Sequence, residues 1–145
     1  MTVITGLRAF LLDNAGIAAL VGPRVYPLRL PQKATMPSIV LTRIDEINDA
    51  HLRGPVALNR ARIQVDAWAA TFDGATALGT LCQQRLDGFH GIWSDGASPA
   101  SQIQVQGIFH DVARDFFEEE ILGGLCRQST DFFVHYMEIG EPILI

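Results

Sequence analysis

The chain predicts one α+β domain, a mainly antiparallel sheet of about four strands with two helices packed on one face. Three observations carry that expectation. A length of 145 residues suits a single hydrophobic core. Apolar residues recur at helical spacing in two blocks, and four other segments read as strands. The strands fall into two pairs, each joined by a short turn-rich connection, so each pair is a hairpin. No repeat, linker or low-complexity stretch divides the chain, and residues 1–145 are expected to form one domain. Flexible segments are expected near residues 27–37, 94–101 and 140–145.

Residues 2–14 open the chain as a helix. Thr2 is a suitable N-cap, and Val3, Leu7, Phe10, Leu11 and Asn14 form one stripe. Gly16 interrupts it, and Ile17, Ala18, Leu20 and Val21 add a short further turn that stops at Gly22-Pro23. Pro27, Pro31 and Pro37, with Arg29 and Lys33 between them, exclude helix and central strand from residues 27–37. That loop is expected to meet a neighbouring subunit.

Residues 38–47 read as a strand and residues 51–55 as its connection. Residues 59–69 alternate cleanly. Ala61, Ile63, Val65, Ala67 and Ala69 lie on one face, and Arg60, Arg62, Gln64, Asp66 and Trp68 on the other. Residues 72–87 form the second helix, capped by Thr71 or Asp73, lined by Ala75, Leu78, Leu81, Cys82 and Leu86, and ended by Gly88. Residues 102–117 make a long strand whose inward set, Ile103, Val105 and Phe109, shifts phase to Val112 and Phe116, with a bulge placed at Gly107. The last strand, residues 125–137, turns Cys126, Thr130, Phe132, Val134 and Tyr136 one way and Arg127, Ser129, Asp131 and His135 the other.

Composition narrows the function. Hydrophobic residues are 48% and charged residues 19% of the chain. That balance fits either a rich core or apolar surface covered by other copies. A net charge of −5 opposes a phosphate-binding surface, which needs clustered Lys and Arg. There is no run of about 18 apolar residues to span a membrane, and the first residues lack a secretory signal pattern, so a cytosol-like compartment is expected. Cys82 and Cys126 read as reduced, small apolar core residues.

No catalytic template is met. Gly-rich phosphate loops and the Gly-x-Ser-x-Gly elbow are missing from the sequence. His51, His90, His110 and His135 fall in four separate elements without a metal-ligand pair. Glu118-Glu119-Glu120 reads as a solvated turn that discourages edge pairing, and Asp111, Arg114 and Asp115 as a salt-bridged patch. No cofactor, metal or catalytic residue is expected.

The linear pattern resembles the tail completion family of long-tailed phages, prophages and gene transfer agents, the tail-to-head joining or tail terminator proteins. The matching stretches run in order from Ala19-Leu20-Val21-Gly22-Pro23-Arg24-Val25-Tyr26-Pro27 through Met36-Pro37-Ser38-Ile39-Val40-Leu41. They continue with Leu52-Arg53-Gly54-Pro55, Arg60-Ala61-Arg62-Ile63-Gln64-Val65-Asp66-Ala67-Trp68-Ala69 and Leu86-Asp87-Gly88-Phe89. Asp111-Val112-Ala113-Arg114-Asp115 and Asp131-Phe132-Phe133-Val134 complete them. The Ser94–Ser101 loop and the apolar segment Pro142-Ile143-Leu144-Ile145 are less typical of the family.

The resemblance implies a structural, ring-forming virion protein, hexameric in the family, at the head-proximal end of the tail tube. Such a ring ends tube growth and joins tail to head, and DNA passes its lumen without specific binding. The implied partners are further copies of the chain, the tail tube protein and the head-tail connector or head completion protein. The implied location is the virion tail, with assembly in the host cytoplasm. Candidate interface residues are Arg60, Arg62 and Asp66 on the polar strand face, then Arg24 and Tyr26, Trp68, and the acidic turn Glu118, Glu119 and Glu120. For the strand face, an ordinary solvated surface is an equal reading. The competing functions are a neck or head-completion component on the portal side, a small metal-dependent hydrolase, and a monomeric regulatory module.

Overall fold

The computed structural model describes residues 2–51, 54–94, 102–119 and 123–139. In chain order it contains α1 (Val3–Leu12), α2 (Ala15–Val21), β1 (Val25–Pro27), β2 (Ser38–His51), β3 (Gly54–Ala69), α3 (Phe72–Leu86), β4 (Gly91–Ser94), β5 (Gln102–Glu118) and β6 (Leu125–Ile139). The sheet has six strands in the order β1-β2-β3-β6-β5-β4. All pairs are antiparallel except β1 with β2, which is parallel.

The two expected hairpins, β2–β3 and β5–β6, form the middle of the sheet and join along β3–β6. Ile63 faces Phe132 and Ala61 faces Val134 across that seam. Ala61, Ile63, Val65, Phe132, Val134 and Tyr136 are all buried against the helices. Val3, Leu7 and Leu11 of α1, Ile17 and Val21 of α2, and Leu78, Cys82 and Leu86 of α3 complete one core on that face. The hydroxyl of Tyr136 donates to Glu46, and burial together with that bond pushes its pKa up. Among the described residues no helix is long and apolar enough to cross a membrane.

The sheet is wider than four strands. β1 and β4 have only three and four residues, too few for an alternating pattern to stand out, and β1 ends on a proline at the sheet's edge. There are three helices because Asn14 does not continue the first stripe. Its side chain accepts from the Ile17 amide at 3.0 Å, capping α2, which leaves α1 at 95°. Thr2 and Thr71 cap α1 and α3 in the same way, accepting from Thr5 N and Gly74 N at 3.1 and 3.0 Å. The connection expected over 51–55 is shorter, since His51 already pairs with Gly54.

β5 departs furthest from expectation. The register slips between Val105 and Gly107, where a bulge was expected, and again between His110 and Ala113. The first slip turns Ile108 into the core and Phe109 out of it, so Phe109 is 54% exposed. Val112, also expected inward, falls in the second slip and is 39% exposed; Phe116 comes out of that slip on the outer face, paired with Arg127 and 4.4 Å from its guanidinium, and is 41% exposed. Cys126 is half-buried near the same end of the sheet and Cys82 is fully buried, which pushes the Cys82 thiol up to about 12.

Candidate interaction surface

The face of the sheet opposite the helices has three zones. At one end the loop between β1 and β2 folds back over it. Leu30 and Met36 pack on Val40, Trp68 and Leu125, forming a second, smaller cluster. Trp68 is therefore covered by its own chain, with the Arg127 guanidinium 5.3 Å from its ring. Arg24 ties the far end of this loop to α2, donating to Pro37 O at 2.9 Å and to Leu20 O at 3.0 Å. Tyr26 sits half-buried in β1.

The middle zone is a charge ladder. Asp131, 2% exposed, accepts from Arg62 at 2.7 Å and from Arg114 at 3.4 Å. Arg62 also lies 3.7 Å from Asp111. The hydrogen bond to Asp131, and then its charge, hold the Arg62 guanidinium still more firmly protonated. Asp66 is buried, takes two 3.1 Å hydrogen bonds from the Gln64 amide, and lies 3.6 Å from Arg127. Arg127 reaches onward to Glu118 at 3.0 Å. Arg62 thus shares one network with Asp111, Arg114 and Asp131, and Asp66 and Glu118 share a second with Arg127. The Nε atoms of Arg62 and Arg127 and the Ser129 hydroxyl are buried with no hydrogen-bond partner among the described residues. Glu119 is exposed in the β5–β6 turn, and Glu120 lies outside the described residues.

The third zone, towards the β2–β3 turn, is apolar. Arg60 is exposed there over the Phe133 ring at 6.0 Å, beside Leu58, Phe109, His135 and Met137. Sequence alternation placed Arg60 on this face but missed the apolar zone, since Phe109 joins it only because of the bulge.

The sheet's two flanks are open. β1 pairs with β2 only at Ile39, Val40 and Leu41, so beyond Leu41 the outward edge of β2 has no strand partner among the described residues. β4 pairs with β5 only over residues 102–105. The next stretch of the β5 edge is covered from the end of α3. Gly88 N donates to Ile108 O at 2.8 Å, and Asp87 accepts from His110 N at 3.1 Å. Past His110 the edge of β5 has no strand partner among the described residues, and residues 111–117 are all exposed. Leu86-Asp87-Gly88-Phe89 and the stretch around Arg24 therefore act as ties between elements. Among the described residues no group of three or more His, Cys, Asp or Glu side chains is placed to hold a metal ion.

The comparisons with known proteins agree with this architecture. A chain in the structure described as "Virion of native gene transfer agent (GTA) particle" superposes with a TM-score of 0.73 at 18% identity, covering 93% of this chain and 94% of that one. This likeness establishes a shared fold. Among curated proteins no relative matches. The sequence profile of the family described as "Tail completion protein gp17" matches residues 5–123, most of the chain. The chain belongs to the gp17 family of tail completion proteins, structural proteins of the phage tail.

Proposed function

We propose that this structural tail protein is a terminator: several copies close into a ring on the head-proximal end of the tail tube, stop its growth and receive the head. The observation that carries this reading is the pair of strand edges, on opposite flanks of one sheet, that are unpaired among the described residues. An unpaired strand presents a row of backbone donors and acceptors to another chain. One edge of β2 and one of β5 are different surfaces, so joining them between copies is a heterologous contact. Such a contact yields a ring when its rotation closes and a filament when it does not. The bulges at Arg43/Asp45 and His110/Ala113 lie on these two edges and bend them, which favours closure over a flat extension.

A hexamer is the family's arrangement and is the number we propose. Arg60, whose guanidinium is exposed, and Glu119 at the β5–β6 turn are the site residues best placed to meet a neighbour or the tube. Arg62, Asp66 and Trp68 shape that surface from within, and Arg24 and Tyr26 set the loop beside it. The net charge of −5 suits a lumen that lets duplex DNA pass, because a cationic wall would retain phosphate.

Electron microscopy of particles assembled without this polypeptide tests the reading. The expected result is tubes of irregular or excess length and heads without tails. Adding purified protein to bare tubes should cap them and restore joining to filled heads. Binding to heads with no capping of tubes would reassign it to the neck, and normal attached tails in its absence would end the proposal.

A further inference from the structure

Among the described residues, the outward edge of β2 is open over residues 42–51 and that of β5 over residues 111–118. Each open stretch is stopped at its N-terminal end. On β2 the stop is β1, whose last tie is the Leu28 amide donating to Leu41 O at 2.9 Å. On β5 it is the end of α3, through Gly88 N on Ile108 O and Asp87 on His110 N. Laid side by side in parallel, the two edges would bring both stops to one end, where β1 of one copy and α3 of the next would compete for the same space. Laid antiparallel, the stops fall at opposite ends. β5 then finishes at Glu118 where the neighbouring β1 lies, and β2 finishes at His51 where the neighbouring α3 begins its cover.

The side chains match as well. Ile44 and Ile47 on β2, and Val112, Phe116 and Phe117 on β5, are large apolar groups left exposed on these stretches. Charges of opposite sign stand on matching sides. Arg43 and Asp115 lie on the helix side, across from Ile63 and Gln128, and Asp45 and Arg114 lie on the outer side, across from Arg62 and Ser129. Arg43 is half-exposed, 3.6 Å from Glu46, and Asp45 and Asp115 are exposed.

We propose that residues 42–51 of one copy add antiparallel to residues 111–118 of the next, setting Arg43 against Asp115 on one side of the joint sheet and Asp45 against Arg114 on the other. A long arginine side chain reaches a cross-strand neighbour that is opposite or diagonal, so both pairs form in either position. This contact rests on the ring reading above and specifies its strands, their direction and their charge pairs.

Charge reversal on bare tail tubes tests it. Arg43→Glu places a third carboxylate beside Glu46 and the next copy's Asp115, so capping should fall by about tenfold or more. Adding Asp115→Arg should restore capping to near the unmodified level, with thermal melts confirming that each variant folds. Independently, Ile47→Cys and Val112→Cys proteins, each with Cys126→Ser, are mixed on tubes and treated with a short bismaleimide. The mixture should give a crosslinked dimer that neither protein gives alone. The crosslink decides by itself if a charge variant does not fold. Capping unaffected by Arg43→Glu, no rescue in a folded double variant, or no crosslink from the mixture would overturn this contact, while capping by the unmodified protein leaves the ring reading in place. A crosslink from Ile47→Cys alone would show like edges meeting and overturn both. Unmodified protein that caps no tubes would remove the ring reading and this contact with it.

Discussion

Trp68→Ala examines the docking of the long β1–β2 loop, the feature that covers one end of the outer face. Trp68 is 7% exposed and touches Val40, Leu125, Leu30 and Met36. Its indole nitrogen has no hydrogen-bond partner among the described residues, so truncation removes packing and no hydrogen bond described there. Large-to-small substitution of a buried tryptophan costs about 3–5 kcal/mol. The cluster is small and lies under a loop that can settle into the gap, so the lower end, about 3 kcal/mol, is expected. For a domain of this size that lowers Tm by roughly 6–12 °C. Urea unfolding followed by the fluorescence of the remaining Trp93 measures the loss. Limited trypsin digestion supplies the local readout. Arg29 and Lys33 lie in the loop, and cleavage there should accelerate well beyond the change at other sites, because the loop has lost its anchor. A loss under about 1 kcal/mol with unchanged loop cleavage would refute the argument that Trp68 holds the loop down.

Two further outcomes are expected. Thr71→Ala removes the side chain that accepts from Gly74 N at 3.0 Å, so stability should fall by about 1 kcal/mol, while Thr71→Ser should keep most of it; thermal melts distinguish them. Burial raises the Cys82 pKa to about 12 from an ordinary value of 9.0, so above pH 9 the unfolded chain releases this proton while the folded chain keeps it. Stability should therefore decline from about pH 9 towards about pH 12, and the decline should be shallower in Cys82→Ala. In native protein a thiol reagent should modify Cys126 and spare Cys82 until the chain unfolds.

What could be read from the residues follows from where one physical constraint acts alone. β3 alternates perfectly because one of its faces meets a single apolar layer, so Ala61 to Ala69 declared both strand and facing. The caps Thr2 and Thr71 were equally legible, since each satisfies a local donor. Asn14 was ambiguous, because its position fits an apolar stripe and its chemistry fits a cap; the cap prevailed. β1 and β4 are edge strands held by pairing with β2 and β5, so three or four residues carry no periodic signal of their own. The placement of Phe109, Val112 and Phe116 depends on two register slips; Gly107 marked the first, but no glycine marks the second, between His110 and Ala113, which sets the facing of Val112 and Phe116. The polar face showed as a stripe of Arg60, Arg62, Gln64, Asp66 and Trp68. Its pairing with Asp131, Arg114 and Arg127 arises only when two strands distant in sequence meet.

That meeting has a consequence for timing. β3 and β6 are the central neighbours of the sheet, yet about seventy residues separate Arg62 from its partner Asp131. While the chain emerges from the ribosome, α1, α2 and the first hairpin are complete well before β6, and until it arrives β3 offers a bare, well-patterned border to any passing strand. Late arrival of the second hairpin is the step that closes this border, so the nascent first half is the stage at which mispairing between growing chains is most dangerous. In the proposed ring, where copies join along their outermost flanks, a subunit ready to join is then one whose translation has already finished.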